Sequence, residues 1–135
     1  MANMRIGALA QLSGLSTQTI RYYESLELLP DPERTPSGYR EYASDAAQRL
    51  GFIRDARAWG LTLGEVQTLL SMKDAGRATC SHTLAFLDHH LAEIDAQIDR
   101  LQAARIEMSQ LAERGRHLDP ASCTDPDRCQ VIDPS

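Results

Sequence analysis

Cys80, Cys123 and Cys129 are the three thiols of this 135-residue chain. A structural cysteine sits on an apolar stripe. Cys123 and Cys129 do not: five residues separate them in a stretch rich in Asp and Pro. Two thiolates on a short polar loop can wrap one soft metal ion. The start, Met1-Ala2-Asn3-Met4-Arg5, leads into no secretion-type apolar stretch, and no apolar run approaches membrane-spanning length. A cytoplasmic location without membrane contact is therefore expected, with reduced thiols free to act as ligands. His117 is a candidate fourth ligand and His82 a weaker one. His89 and His90 fall in mid-helix and read as solvated side chains.

The element that must position Cys80 is a long helix. Leu84, Leu87, Leu91, Ile94, Ile98, Leu101, Arg105, Met108 and Ala112 alternate by three and four, and only Arg105 interrupts the apolar seam. This is a coiled-coil pattern over residues 80–114, and a seam so narrow calls for a second copy. A helix of about 32 residues is about 48 Å long. Cys80, at its head, therefore cannot reach the loop of residues 115–135 past its own end. In an antiparallel homodimer, Cys80 of one protomer would face Cys123 and Cys129 of the other, giving two symmetric sites.

Residues 1–75 read as a winged helix-turn-helix. Ile6, Leu9 and Ala10 share one face of a short helix, Ser13-Gly14 breaks it, and Ser16 can cap a second helix. Ile20 would pack inward there and leave Thr17, Gln18, Arg21 and Tyr22 outward, suited to phosphates and base edges in a major groove. The stretch from Arg34 to Tyr42, with its Pro36 and Ser37-Gly38 turn, predicts a β-hairpin wing in which Arg34, Tyr39 and Arg40 clamp the DNA backbone. Ser44 can cap a third helix ending near Trp59. Thr62 and Glu65 predict a capping box on a fourth that stops at Asp74-Ala75-Gly76. The fold expected is mainly α: winged helix-turn-helix, dimerisation helix, metal-binding loop.

Several segments resemble the mercury-resistance regulator (MerR) family: Thr19-Ile20-Arg21-Tyr22-Tyr23-Glu24, Gly38-Tyr39-Arg40-Glu41-Tyr42, Leu50-Gly51-Phe52-Ile53-Arg54, and the stretch from Ala58 to Val66. The resemblance runs along nearly the whole chain. It implies a dimeric bacterial transcription regulator, acting on promoter double-stranded DNA with RNA polymerase. The expected DNA-contacting set is Thr17, Gln18, Arg21, Tyr22, Tyr23, Arg34, Tyr39, Arg40 and Arg57. The chain is similar to the family's metal-sensing branch in having a cysteine at the head of the dimerisation helix and a cysteine loop after it. In that branch a cysteine matching Cys80 goes with divalent ions, which implies zinc, cadmium, lead or mercury. The resemblance further implies that metal distorts an over-long promoter spacer and so activates efflux or detoxification genes. One departure stands out: the family's first loop cysteine would fall near Gly115, and the pair here is displaced toward the C-terminus.

The net charge of −5 is unfavourable for a DNA-binding chain until its distribution is considered. Residues 1–60 carry seven Arg and seven acidic residues, whereas residues 61–135 carry seven basic and twelve acidic ones. The acid excess thus lies away from the DNA-binding part. Among its arginines, Arg49 is expected to be a solvated surface charge. Two rivals remain: a thiol-based redox or electrophile sensor on the same frame, and a metal-buffering coiled coil without DNA binding. No acid-base constellation points to an enzyme.

Overall fold

The computed structural model describes residues 3–133. Met1 and Ala2 of the expected 1–75 segment, and Pro134 and Ser135 of the expected 115–135 loop, lie outside the described residues. Among those described, the fold is mainly α, with five α-helices and one two-stranded sheet.

Helix α1 (Ile6–Ser13) ends at Gly14, whose φ of 73° is the left-handed conformation that closes a helix without a Cβ clash. Helix α2 (Thr17–Ser25) starts where Ser16 Oγ accepts from the Thr19 amide at 3.0 Å. Between them the turn is locked from a distance: Arg54 Nη1 donates to the Ser13 carbonyl at 2.6 Å. Strands β1 (Glu33–Arg34) and β2 (Arg40–Glu41) form the antiparallel wing, pairing Glu33 with Glu41 and Arg34 with Arg40. The wing is tied to the head of α1 by reciprocal Met4–Tyr42 backbone bonds of 2.8 and 2.7 Å.

Helix α3 (Ala46–Ala58) departs from the expected start: Asp45, not Ser44, holds the N-cap position, and its side chain makes no capping bond. Helix α4 (Leu63–Asp74) opens on the predicted box, Thr62 Oγ1 accepting from the Glu65 amide at 3.1 Å and Glu65 Oε1 from the Thr62 amide at 2.8 Å. Leu9, Ile20, Leu28, Tyr42, Leu50, Ile53, Val66 and Leu69 form the centre of one core that draws on all four helices and the wing. Burial of such side chains contributes about 1.5–3 kcal/mol each and holds α2 and the wing at fixed positions.

Arg49 corrects the surface-charge expectation. Its Nε donates to the Leu28 carbonyl at 2.6 Å and its terminal nitrogens hold Asp74 at 2.7 and 3.1 Å. It is a cross-brace between α3, the end of α4 and the loop after α2.

Helix α5 (Cys80–Arg116) is continuous over 37 residues and runs two residues past the expected end, carrying Gly115 within its last turn. Two compact units divide within it, residues 1–88 and 89–135. In the first, Phe86 and Leu87 pack against the core. In the second, the chain after the helix forms a 3₁₀ turn, η1 (Pro120–Ser122), and returns so that Val131 packs on Gly115.

Candidate nucleic-acid interface and metal centre

The outward face of α2 follows from its periodicity. Ile20 is fully buried, and Thr17, Gln18, Arg21 and Tyr22 are exposed. Tyr23 departs from the expected DNA-contacting set: it is only 9% exposed and belongs to the core, its ring centroid 6.0 Å from that of Tyr22. Three residues on from Ile20, it lies on the inward stripe of the helix.

On the wing, Arg34 and Tyr39 are exposed and Arg40 is half-buried. Arg34 Nη1 donates to the Gly38 carbonyl at 2.9 Å and closes the tip of the hairpin. Gly38 has a φ of 90°, which a side chain would strain. Arg57 is exposed at the end of α3, where it donates to the Leu61 carbonyl at 2.9 Å.

The structure adds a residue to this set. Arg5 stacks over the Tyr39 ring at 4.5 Å and joins Arg21, Arg34 and Arg40 around a concavity of about 160 Å³. Four guanidinium groups from the N-terminal segment, α2 and both wing strands thus border one hollow. Such convergence suits a phosphate, because planar guanidinium donors match its oxygens. The sequence signal for Arg5 was its place immediately before α1, which becomes meaningful only once Met4 pairs with Tyr42.

Next to the hollow runs a partly buried polar chain. Tyr42 Oη donates to Glu24 Oε2 at 2.8 Å, and Glu24 Oε1 stands 3.4 Å from Arg40 Nε. Burial, reinforced by the neighbouring Glu24 carboxylate, pushes the Tyr42 phenol up to about 12, so it remains a donor throughout the physiological range.

Cys80, Cys123 and Cys129 are all exposed and unpaired. Cys80 is the first residue of α5. Cys123 follows η1 and borders a hollow of about 200 Å³ with Ser122, Thr124, Asp125, Arg128, Gln130 and Asp133. The loop is organised by its own polar groups. Asp119 Oδ1 accepts from the Ala121 amide at 3.0 Å, and Gln130 Nε2 donates to the Asp119 carbonyl and Ser122 Oγ, each at 3.2 Å. The Cys129 carbonyl accepts from the Ile132 and Asp133 amides at 3.1 and 2.9 Å. Arg128 is paired with Asp133, and Arg116 with Glu113. His117 is exposed and also lies on Glu113, Nε2 to Oε1 at 3.1 Å; His82 is exposed. Among the described residues, no three His, Cys, Asp or Glu side chains converge within the single chain to hold a metal ion. Thiolate sulfur is a soft donor, and all three thiols are accessible.

Among the described residues most of the seam of α5 is bare, although Leu87 at its head packs against the core. Leu84, Leu91, Ile94, Ile98, Leu101 and Met108 are between 45% and 70% exposed, and no described residue of α5 is fully buried. None of the described helices is long and apolar enough to cross a membrane.

The winged helix-turn-helix followed by a long helix defines a class of transcription regulator. Residues 5–42 match the model of the MerR family regulatory proteins, and residues 47–111 match that of the MerR DNA-binding segment. The chain is 36% identical over 111 residues to a helix-turn-helix regulator of Haemophilus influenzae described as a ZntR homologue, covering 82% of each. It is 39% identical over 110 residues to the mercuric resistance operon regulatory protein of Bacillus cereus, covering 82% of this chain and 83% of that one. Its fold matches the lead(II) complex of the regulator PbrR691 from Ralstonia metallidurans, with a TM-score of 0.75, 35% identity and 96% of each chain covered. The chain belongs to the MerR family of transcription regulators. These relatives are regulators, and the chain is a regulator and not an enzyme.

Proposed function

We propose that this protein is a homodimeric transcription activator that reads a promoter through residues 1–75, pairs through residues 80–114 and binds a divalent soft metal through residues 115–135 together with Cys80 of the partner protomer. One observation carries the reading: three exposed, unpaired thiols accompany a continuous helix whose apolar seam is bare from Leu91 to Met108 apart from Arg105. A 37-residue helix spans about 55 Å at 1.5 Å per residue. Its own loop thus cannot complete the coordination of Cys80, whereas the loop of an antiparallel partner can. Cys80 of one protomer with Cys123 and Cys129 of the other makes a three-thiolate site for lead, mercury or cadmium. Zinc would need a fourth donor, for which His117 is the candidate once it leaves Glu113.

Thr17, Gln18, Arg21 and Tyr22 contact the major groove. Arg34, Tyr39, Arg40 and Arg5 hold the backbone beside it, with Arg57 at the end of α3. With metal bound, each loop is tied to the partner's helix head, which biases the dimer toward a conformation that distorts the promoter spacer for RNA polymerase. The regulated genes then encode efflux or detoxification of the same metal, and the protein works in the cytoplasm. A redox sensor would need an activated thiol in a cationic setting. Arg116 and Arg128 are instead engaged by carboxylates, which favours the metal reading.

The test is titration of the reduced protein with lead(II), cadmium(II), mercury(II) and zinc(II), followed by thiolate-to-metal absorption. Two ions per dimer, lost in Cys80→Ser, are expected. Saturation without thiolate absorption, or unaltered by Cys80→Ser, contradicts the assignment.

A further inference from the structure

Glu24 is an acidic side chain on the helix that faces DNA, where a carboxylate ordinarily repels phosphate. Its side chain is only 15% exposed, and it is held from both sides. Tyr42, buried in the core, donates to Oε2 at 2.8 Å, and Arg40 Nε approaches Oε1 at 3.4 Å. Arg40 Nε is itself buried and finds no aligned hydrogen-bond acceptor, so the carboxylate charge is what holds that edge of the guanidinium. Arg40 also borders the hollow shared with Arg5, Arg21 and Arg34. Four like charges around one hollow repel each other when no anion occupies it. The Glu24 carboxylate offsets that repulsion from behind. It also joins α2, on which it sits, to strand β2, which carries Arg40.

Building on the DNA-reading assignment above, we infer that Glu24 is a positioning residue for DNA binding: anchored by Tyr42, it holds Arg40 in the arginine hollow so that one backbone phosphate is received there. A phosphate contact carries no sequence information and contributes to binding of any duplex. The contact can therefore be read on DNA of arbitrary sequence.

The experiment measures fluorescence anisotropy of a labelled random-sequence duplex over a salt series for the full-length dimer, Glu24→Gln, Arg40→Ala and the double variant. General electrostatics predicts that removing a negative charge beside DNA tightens binding. Positioning predicts the opposite sign. Glu24→Gln should weaken binding roughly fivefold and reduce the slope of log K against log salt by up to about one. In the Arg40→Ala background, Glu24→Gln should cause no further loss. Glutamine is isosteric and still accepts from Tyr42, so thermal unfolding should stay close to the parent. If Glu24→Gln fails to fold, Tyr42→Phe carries the test, with a smaller loss that again disappears in the Arg40→Ala background. Unchanged or tighter binding by Glu24→Gln, or by Tyr42→Phe where it stands in, overturns the inference, as does an equal loss with and without Arg40. If the parent itself binds no duplex, the DNA-reading assignment fails as well, which separates the two failures.

Discussion

Arg49 grips Asp74 with both terminal nitrogens, at 2.7 and 3.1 Å, while its Nε holds the Leu28 carbonyl at 2.6 Å. Three bonds from one guanidinium thus join α3, the end of α4 and the loop that follows α2. The hydrogen bonds from Arg49, stronger than the small cost of burial, draw the Asp74 carboxyl below its ordinary value. A carboxylate held low in the folded state stabilises above its unfolded pKa, and the effect is lost as pH falls through the folded one. The pair therefore acts fully at neutral pH and fades only below about pH 4. Asp74 is 58% exposed, so solvent screens much of the pairing, and Asp74→Asn should cost about 0–1 kcal/mol. Arg49→Ala also leaves the Leu28 carbonyl without its donor and should cost about 1–3 kcal/mol in thermal unfolding. Equal costs for the two variants would show that the Leu28 bond contributes nothing.

Arg21 and Tyr23 are two residues apart on α2 and should behave oppositely. Arg21→Ala, on the exposed face, should weaken duplex binding by about 1–3 kcal/mol if it makes a bidentate base contact, and leave the melting temperature in place. Tyr23→Ala empties a core position and should cost about 3 kcal/mol or more of stability. Gel shift and calorimetry on the same preparations separate the effects. Loss of stability in Arg21→Ala would move that residue out of the DNA-reading face.

Leu91 and Ile98, 55% and 45% exposed, lie one heptad apart on the bare seam. Replacing both with Asp should dissociate the dimer, because each carboxylate would be desolvated at the interface at a cost of several kcal/mol. Sedimentation equilibrium checks it, and a variant that remains dimeric would place the contact on another face of α5.

Gly115 is packed so closely that a Cβ would stand 2.8 and 3.1 Å from the Val131 methyl carbons. Gly115→Ala should improve the helix by up to about 1 kcal/mol yet displace the returning tail. Trypsin cleavage after Arg128 should accelerate, and Val131→Ala in the same chain should slow it again. Unaltered cleavage would mean that the tail does not depend on this contact.

The order of elements was legible in the sequence because each carries its own punctuation. Gly14 ends α1, Ser16 caps α2, and Thr62 with Glu65 begins α4. Ser44 misled because it too is a favoured capping type, and local preference does not reveal that the chain turns once more before Ala46. Arg49 and Tyr23 misled for a different reason. Their positions depend on contacts with Asp74 and with the core that are distant in sequence. Arg5 escaped notice likewise, since it reaches the arginine hollow only through pairing of Met4 with Tyr42. The thiols could be found by type and spacing alone. Their partners could not: among the described residues no three His, Cys, Asp or Glu side chains come together to hold an ion, and type and spacing do not say what would join the thiols.

The proposed metal site, shared between protomers, is tested most directly in a mixed dimer. One protomer carries Cys80→Ser; the other carries Cys123→Ser and Cys129→Ser. If thiolates from two protomers form each site, the unaltered Cys80 of the second protomer meets the intact loop of the first, and the opposite site keeps no cysteine. Isothermal titration with lead(II) should then show one tight ion per mixed dimer, although neither parent homodimer binds tightly. A mixed dimer without a tight site would contradict the intersubunit arrangement.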